Sequence, residues 1–178
     1  KTTTTSMVTH ILMEANLDPT VMIGGYLPLL RGGHRVGNGD TIVLESCEYC
    51  DSFLNFFPTV AVILNVEEDH LDYFKDGLTA IEASFHKFAA SVPEDGCIVA
   101  NYEDKNTMDS VAGIDRKIVT FGIDKNADVY ADNIRFSGAK SMFDLYAYGE
   151  KVIDVTLHVP GMHNIRNALA AAAASLHL

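Results

Sequence analysis

Short β-branched, apolar runs alternate along this chain with stretches of helical period. Residues 20–25 (TVMIGG), 41–46 (TIVLES), 60–66 (VAVILNV), 97–102 (CIVANY) and 117–123 (KIVTFGI) read as strands. Most are apolar on both faces, the mark of parallel strands covered on both sides. Helical stretches lie between them, at 2–16, near 52–56, at 77–91, at 104–112 and at 162–178. In the third of these, Leu78, Ile81, Phe85, Phe88 and Ala89 recur at helical spacing and are expected to face the sheet. The alternation predicts βαβ units.

After Asp124 the pattern changes. DVYADNIRFS, KSMFDLYAYG and EKVIDVTLHV alternate polar with apolar residues and carry turn signals between them. They read as a three-stranded antiparallel addition with one solvated face. The expected fold is therefore α/β: a doubly wound, mostly parallel sheet with helices on both faces, plus a small antiparallel flank. Residues 1–178 read as one domain, since no repeat, linker or low-complexity tract interrupts the chain.

Composition narrows the function. The 178 residues are 48% hydrophobic and 21% charged, as expected of a globular domain with a sizeable core. The net charge of −11 argues against a nucleic-acid partner, which needs a basic face to meet phosphates. It leaves nucleotides open, because backbone N–H groups and magnesium can meet those phosphates instead. Three cysteines are no disulfide framework. No apolar run approaches the roughly 18 residues of a membrane span, so a cytoplasmic location is expected.

Six places are candidates for chemistry. Lys1-Thr2 ahead of a helix matches the tail of the phosphate loop G-x-x-x-x-G-K-[ST], but taken alone the dipeptide fits a lysine and N-capping threonines at an ordinary helix start better. Glu45 ends a strand, where α/β sheets bind ligands, and suits a magnesium ion held beside phosphates. Cys47-x-x-Cys50 lacks the second ligand pair that a zinc site would need. Asp69-His70, at the end of the next strand, reads as a metal ligand or a carboxylate-steered base, or as a structural histidine. Asn164 and Asn167, at i and i+3 of the last helix, offer donors and acceptors to an adenine edge, or simply cap that helix. The glycine-rich stretch 30–39, with Arg31, His34 and Arg35, reads as a surface loop or an anion contact.

Together these motifs resemble the central ATP-binding domain of the Mur ligase family, in the family's order and over nearly the whole chain. Lys1-Thr2-Thr3 is similar to the end of its G-T-x-G-K-T-T loop, with the glycines upstream of Lys1 cut away. ESCEYCDSFL (45–54) resembles the pattern E-A-D-E-S-D-x-S-F-L, NVEEDHLDYF resembles T-N-I-x-x-D-H-x-D, and GMHNIRNALAA resembles G-x-H-N-x-x-N-x-x-A-A. The resemblance implies a sheet of P-loop type, ATP and two Mg²⁺ as cofactors, and flanking UDP-sugar-binding and C-terminal domains not contained in these residues. It also implies roles. Lys1 holds the β/γ-phosphates with Thr3 close by, Thr2 and Glu45 hold one Mg²⁺, and His70 holds the other. Asn164 and Asn167 hold adenine with His163 near the nucleotide, and Asp69 orients His70.

The E-x-x-E-x-x-x-S-F-L pattern points within the family to the branch that joins L-alanine to UDP-N-acetylmuramate. Phe85 supports that branch, because it stands where members adding later amino acids carry a carbamylated lysine. Cys47 and Cys50 replace the branch's two aspartates, while Glu45 and Glu48 are retained. Murein-peptide recycling ligases and folylpolyglutamate synthase-like enzymes are the alternatives within the family. A P-loop nucleotide switch is the alternative outside it.

Overall fold

In the computed structural model, which describes residues 1–178, nine strands and four α-helices follow the expected alternation. Helix α1 (Thr2–Glu14) precedes β1 (Thr20–Leu27), β2 (Gly32–Arg35) and β3 (Ile42–Leu44). A 3-10 segment at Tyr49–Asn55 leads to β4 (Val60–Ile63). Then come α2 (Leu78–Ala90), β5 (Cys97–Asn101), α3 (Lys105–Val111) and β6 (Lys117–Gly122). Strands β7 (Val129–Ser137), β8 (Lys140–Ala147) and β9 (Glu150–Leu157) precede α4 (Met162–Ser175).

Strand β5 shows why the parallel strands are apolar throughout. Its Cys97 and Val99 enter a core shared with α1 and α4, while Ile98 and Ala100 enter a second core beneath α2 and α3. In α2, Ile81, Phe88 and Ala89 are buried, and Leu78 and Phe85 pack at the margin, as their spacing predicts. The alanine run of α4 is almost wholly inaccessible. Its small side chains share a core with Val8 and Leu12 of α1.

The strands divide between two sheets. One runs β2-β1-β3, the other β4-β5-β6-β7-β8-β9. The expected antiparallel flank, β7-β8-β9, is part of the larger of these. Its strands extend the main sheet, because β7 pairs parallel to β6 at Phe121↔Val129 and Gly122↔Tyr130. The six-stranded sheet has helices on both faces. The small sheet packs on α1 and leaves Met22, Tyr26 and Ile42 exposed.

Residues 30–39 are not simply a loop, since Gly32–Arg35 pair antiparallel with β1. The short helix expected near 52–56 begins earlier, at Tyr49, and is broken where Cys50 and Asp51 take left-handed backbone.

In the antiparallel part, the pairing of β7 with β8 slips between Asp132 and Arg135. Asn133 sits at φ 52°, a left-handed conformation that asparagine tolerates. Its amide donates to Asp144 Oδ2 at 2.7 Å, and Lys151 Nζ lies 3.2 Å from Oδ1. The Asn133 bond, then those of Asp154 and Lys151, hold the Asp144 carboxyl down at about 2. A depressed carboxyl stabilises the fold above its unfolded pKa of 3.8, and that stability drains as pH falls towards 2. Asn133→Gly keeps the backbone and deletes the amide, so acid unfolding followed by circular dichroism is expected to begin at a higher pH than in wild type.

Candidate functional site

Strands β3 and β4 are each paired on one side only. Their open edges border a cleft of about 900 Å³. Its floor is apolar, with Val43, Ile63, Phe53 and Phe85 among its residues. Of its polar side chains, Lys1, Glu45, Glu48, Asn65, Asp69 and His70 are at the carboxyl ends of the strands and the start of α1, while Asp40, Thr41 and Thr59 lie at the opposite strand ends.

The start of α1 explains the threonine row. No side chain caps this helix. Two hydroxyls turn back into it instead, Thr5 Oγ1 donating to Lys1 O at 3.1 Å and Ser6 Oγ to Thr2 O at 2.8 Å, while those of Thr2 and Thr4 reach Glu45 and Asn167. The capping role that an ordinary helix start would give these threonines is therefore absent. The first-turn N–H groups and the positive end of the helix dipole remain available to an anion.

Thr2 Oγ1 donates to Glu45 Oε1 at 2.8 Å, and the backbone N–H of Gly24 donates to Glu45 Oε2 at 2.8 Å. Glycines at 24 and 25 permit this close approach. A Cβ on Gly25 would lie 2.9 Å from Thr2 Cγ2, and one on Gly24 would lie 3.2 Å from both Glu45 oxygens. Lys1 Nζ donates to Glu48 Oε2, while Glu48 Oε1 lies 3.9 Å from His70 Nε2. Burial raises the Glu48 carboxyl, but the Lys1 ammonium outweighs it and the group is held below its usual range.

The expected residues meet in part. Lys1, Thr2, Glu45 and His70 converge around the cleft mouth, joined by Glu48. Asp69 acts differently from expectation. Its Oδ1 accepts the His70 backbone N–H at 2.7 Å, while its Oδ2 is 3.8 Å from the ring nitrogen Nε2. It therefore fixes the His70 backbone, which lies at φ 54°, rather than hydrogen-bonding the imidazole. Thr3 is exposed.

Of the pair on α4, Asn167 is tied to α1 and Asn164 to the turn before its own helix. Asn167 Oδ1 accepts from Thr4 Oγ1 at 3.0 Å, and Asn164 Nδ2 donates to Pro160 O at 2.7 Å. His163 is exposed and folds its ring over Gly161. Cys47 and Cys50 are exposed free thiols. No group of three or more His, Cys, Asp or Glu side chains is arranged to hold a metal. Phe85 packs edge-to-face on Phe53, with ring centroids 5.1 Å apart.

Sequence reasoning named Glu48 and gave it no role. It treated Asp51 in the same way and passed over Tyr49, Asp72 and Tyr73; these four join the two loops that border the cleft. The available signal was the mirrored arrangement of tyrosine and aspartate in CEYCD and HLDY.

A family model described as the Mur ligase middle domain matches residues 1–175. The UDP-N-acetylmuramate--L-alanine ligase of Clostridium novyi is 48% identical over 178 residues, covering 100% of this chain and 38% of that protein. The ligase of the same description from Caldicellulosiruptor bescii is 44% identical, over 100% of this chain and 39% of that protein. Among solved structures, the UDP-N-acetylmuramate-alanine ligase MurC of Thermotoga maritima aligns with a TM-score of 0.83 at 32% identity, covering 97% of this chain and 38% of its own. The chain thus spans under two-fifths of the length of these relatives. No helix is long and apolar enough to cross a membrane.

Proposed function

The chain belongs to the Mur ligase middle-domain family, and on that premise we propose that it is the ATP-binding core of an ATP-dependent ligase that joins L-alanine to the lactyl carboxylate of UDP-N-acetylmuramate in peptidoglycan precursor synthesis. The observation that carries this reading is the convergence of Lys1, Thr2, Glu45 and His70 at the ends of two strands and one helix. The relatives named for the L-alanine reaction favour that branch. The reaction places the protein in the cytoplasm, where ATP and the UDP-sugar are found together.

The donor set fits magnesium. Thr2 Oγ1 and Glu45 Oε1 are hard oxygens 2.8 Å apart, and Mg²⁺ beside phosphates takes few protein ligands and completes its shell with water and substrate. Thr2 and Glu45 would hold one ion and His70 a second, and bound there the ions would neutralise polyphosphate charge.

In the proposed reaction the carboxylate attacks the γ-phosphorus of ATP, releasing ADP and leaving an acyl phosphate. The L-alanine amine then attacks the acyl carbon, losing a proton, and phosphate departs. The first step brings two anions together. At 4 Å their repulsion is about 1 kcal/mol in bulk water and about 4 kcal/mol near a protein surface. Lys1 and the start of α1 oppose that charge from fixed positions. Asn164, Asn167 and His163 are the proposed adenine contacts, reached along α1 through the Thr4–Asn167 bond. Thr3 is proposed to lie beside the phosphates.

The same cleft supports reading the chain as the central domain of a longer protein. Two half-paired strand edges over an apolar floor suit one further parallel strand, and residues upstream of Lys1 would supply it together with the phosphate loop. That strand would merge the two sheets, and UDP-sugar-binding and C-terminal domains would complete the protein.

The test is ADP release by the full-length protein supplied with ATP, Mg²⁺ and UDP-N-acetylmuramate. ADP is expected with L-alanine as acceptor and not with tripeptide or glutamate. His70→Ala is expected to slow it about 10²-fold, the scale for losing one charge-stabilising group. A preference for tripeptide or glutamate would move the chain to another branch. ADP release independent of any acceptor would favour a nucleotide switch.

A further inference from the structure

Two loops carry the acids and the imidazole of the cleft, residues 45–55 after β3 and 64–77 after β4. A reciprocal pair of hydrogen bonds ties them together. Tyr49 of the first donates to Asp72 Oδ2 of the second at 2.9 Å, and Tyr73 of the second donates to Asp51 Oδ2 of the first at 2.7 Å. The other Asp51 oxygen accepts the hydroxyl of Ser84, which is buried on α2. The clasp is thereby rooted in a helix. Above it the Tyr49 ring lies against the His70 imidazole, centroids 4.7 Å apart and tilted 45°.

Cys50, Asp51 and His70 all take left-handed backbone, at φ 53°, 54° and 54°. Non-glycine residues hold such conformations only where their surroundings over-determine them. The crossed bonds do that on both loops. In the pattern E-A-D-E-S-D-x-S-F-L, Tyr49 stands where the pattern has its first serine, and Asp51 stands at the variable position.

We propose that Tyr49 and Tyr73 are positioning residues, their crossed bonds to Asp72 and Asp51 holding the His70 imidazole in place opposite Glu48 and Lys1 for metal and phosphate binding. The inference rests on the ATP and metal site proposed above. It assigns the tyrosines no contact with substrate. Their task is to keep two strained loops in one relative position, so that the ligand on the second loop faces the acids on the first.

The experiment uses the full-length protein with Tyr49→Phe and Tyr73→Phe, which keep the rings and delete only the hydroxyls. Mn²⁺ is the probe. Its binding to the protein–ADP complex is read by electron paramagnetic resonance, and ADP affinity is measured separately without divalent ion. Mn²⁺ affinity is expected to fall about tenfold in each variant, the scale for losing a partner that orients a metal ligand. Metal-free ADP affinity should stay at the wild-type value, and the His70 imidazole resonances of the ligand-free protein should shift. Wild-type Mn²⁺ affinity in both variants overturns the proposal. So does a matching loss of metal-free ADP affinity, which would mark general loosening rather than positioning. A wild-type protein that binds no ADP overturns the ATP-site reading and the clasp with it, whereas variants equal to an ADP–Mn²⁺-binding wild type overturn the clasp alone.

Discussion

Lys1→Ala in the full-length protein is expected to lower acceptor-dependent ADP release by about 10²–10³-fold, the range for deleting one preorganised charge-stabilising donor. The ammonium is at the helix start and reaches across the cleft mouth to Glu48, so it is aimed where polyphosphate charge would gather. Its removal should leave the fold nearly intact. Its side chain is 45% exposed and that of Glu48 20%, and pairs of this kind contribute about 0–1 kcal/mol. The two effects therefore separate. Steady-state ADP release reports the first and the thermal midpoint the second. A large fall in midpoint, or activity near wild type, would remove Lys1 from the phosphate site. Lys1→Arg keeps the charge but changes its shape and reach, and should recover part of the rate.

Phe121→Ala should act in the opposite sense, on the fold before the chemistry. Phe121 is 1% exposed, on β6, in the core that α1 and α4 share with the sheet. Truncating a buried phenylalanine costs about 3–5 kcal/mol, because lost transfer energy and an unfilled cavity add. For a domain of this size, that is a fall of roughly 10 °C in midpoint at about 2–4 °C per kcal/mol. Differential scanning calorimetry measures it, and ADP bound in excess should restore part of the loss by mass action. A shift under about 2 °C would mean that the core at β6 closes up around the missing ring.

Much of the architecture was legible because its signals are local. The apolar faces of β5, at Cys97 and Val99 on one side and Ile98 and Ala100 on the other, predicted burial under helices on both faces. The spacing in α2 predicted which residues meet the sheet. The pairing of β2 with β1 was missed, because GGHR carries no β-branched or aromatic signal and its strand exists only through its partner. The left-handed kink at Cys50 and Asp51 was missed for a similar reason. Neither residue announces that conformation, and contacts made by Asp51 to Tyr73 and Ser84 sustain it.

The sequence by itself determined the succession of elements, the doubly covered strands and the residues able to do chemistry at strand ends and at the first helix. Hydrophobic period and motif order are properties of neighbouring positions, so they survive without a fold. Only the tertiary structure decided that Glu48 meets Lys1, that Asp69 serves the His70 backbone, that the strands divide into two sheets around a cleft, and that two tyrosines lock the loops together. Apart from the adjacent Asp69 and His70, the side chains that meet stand some twenty to fifty positions apart in the chain. Their pairing is set by the way β3, β4 and α1 pack, which no local pattern encodes.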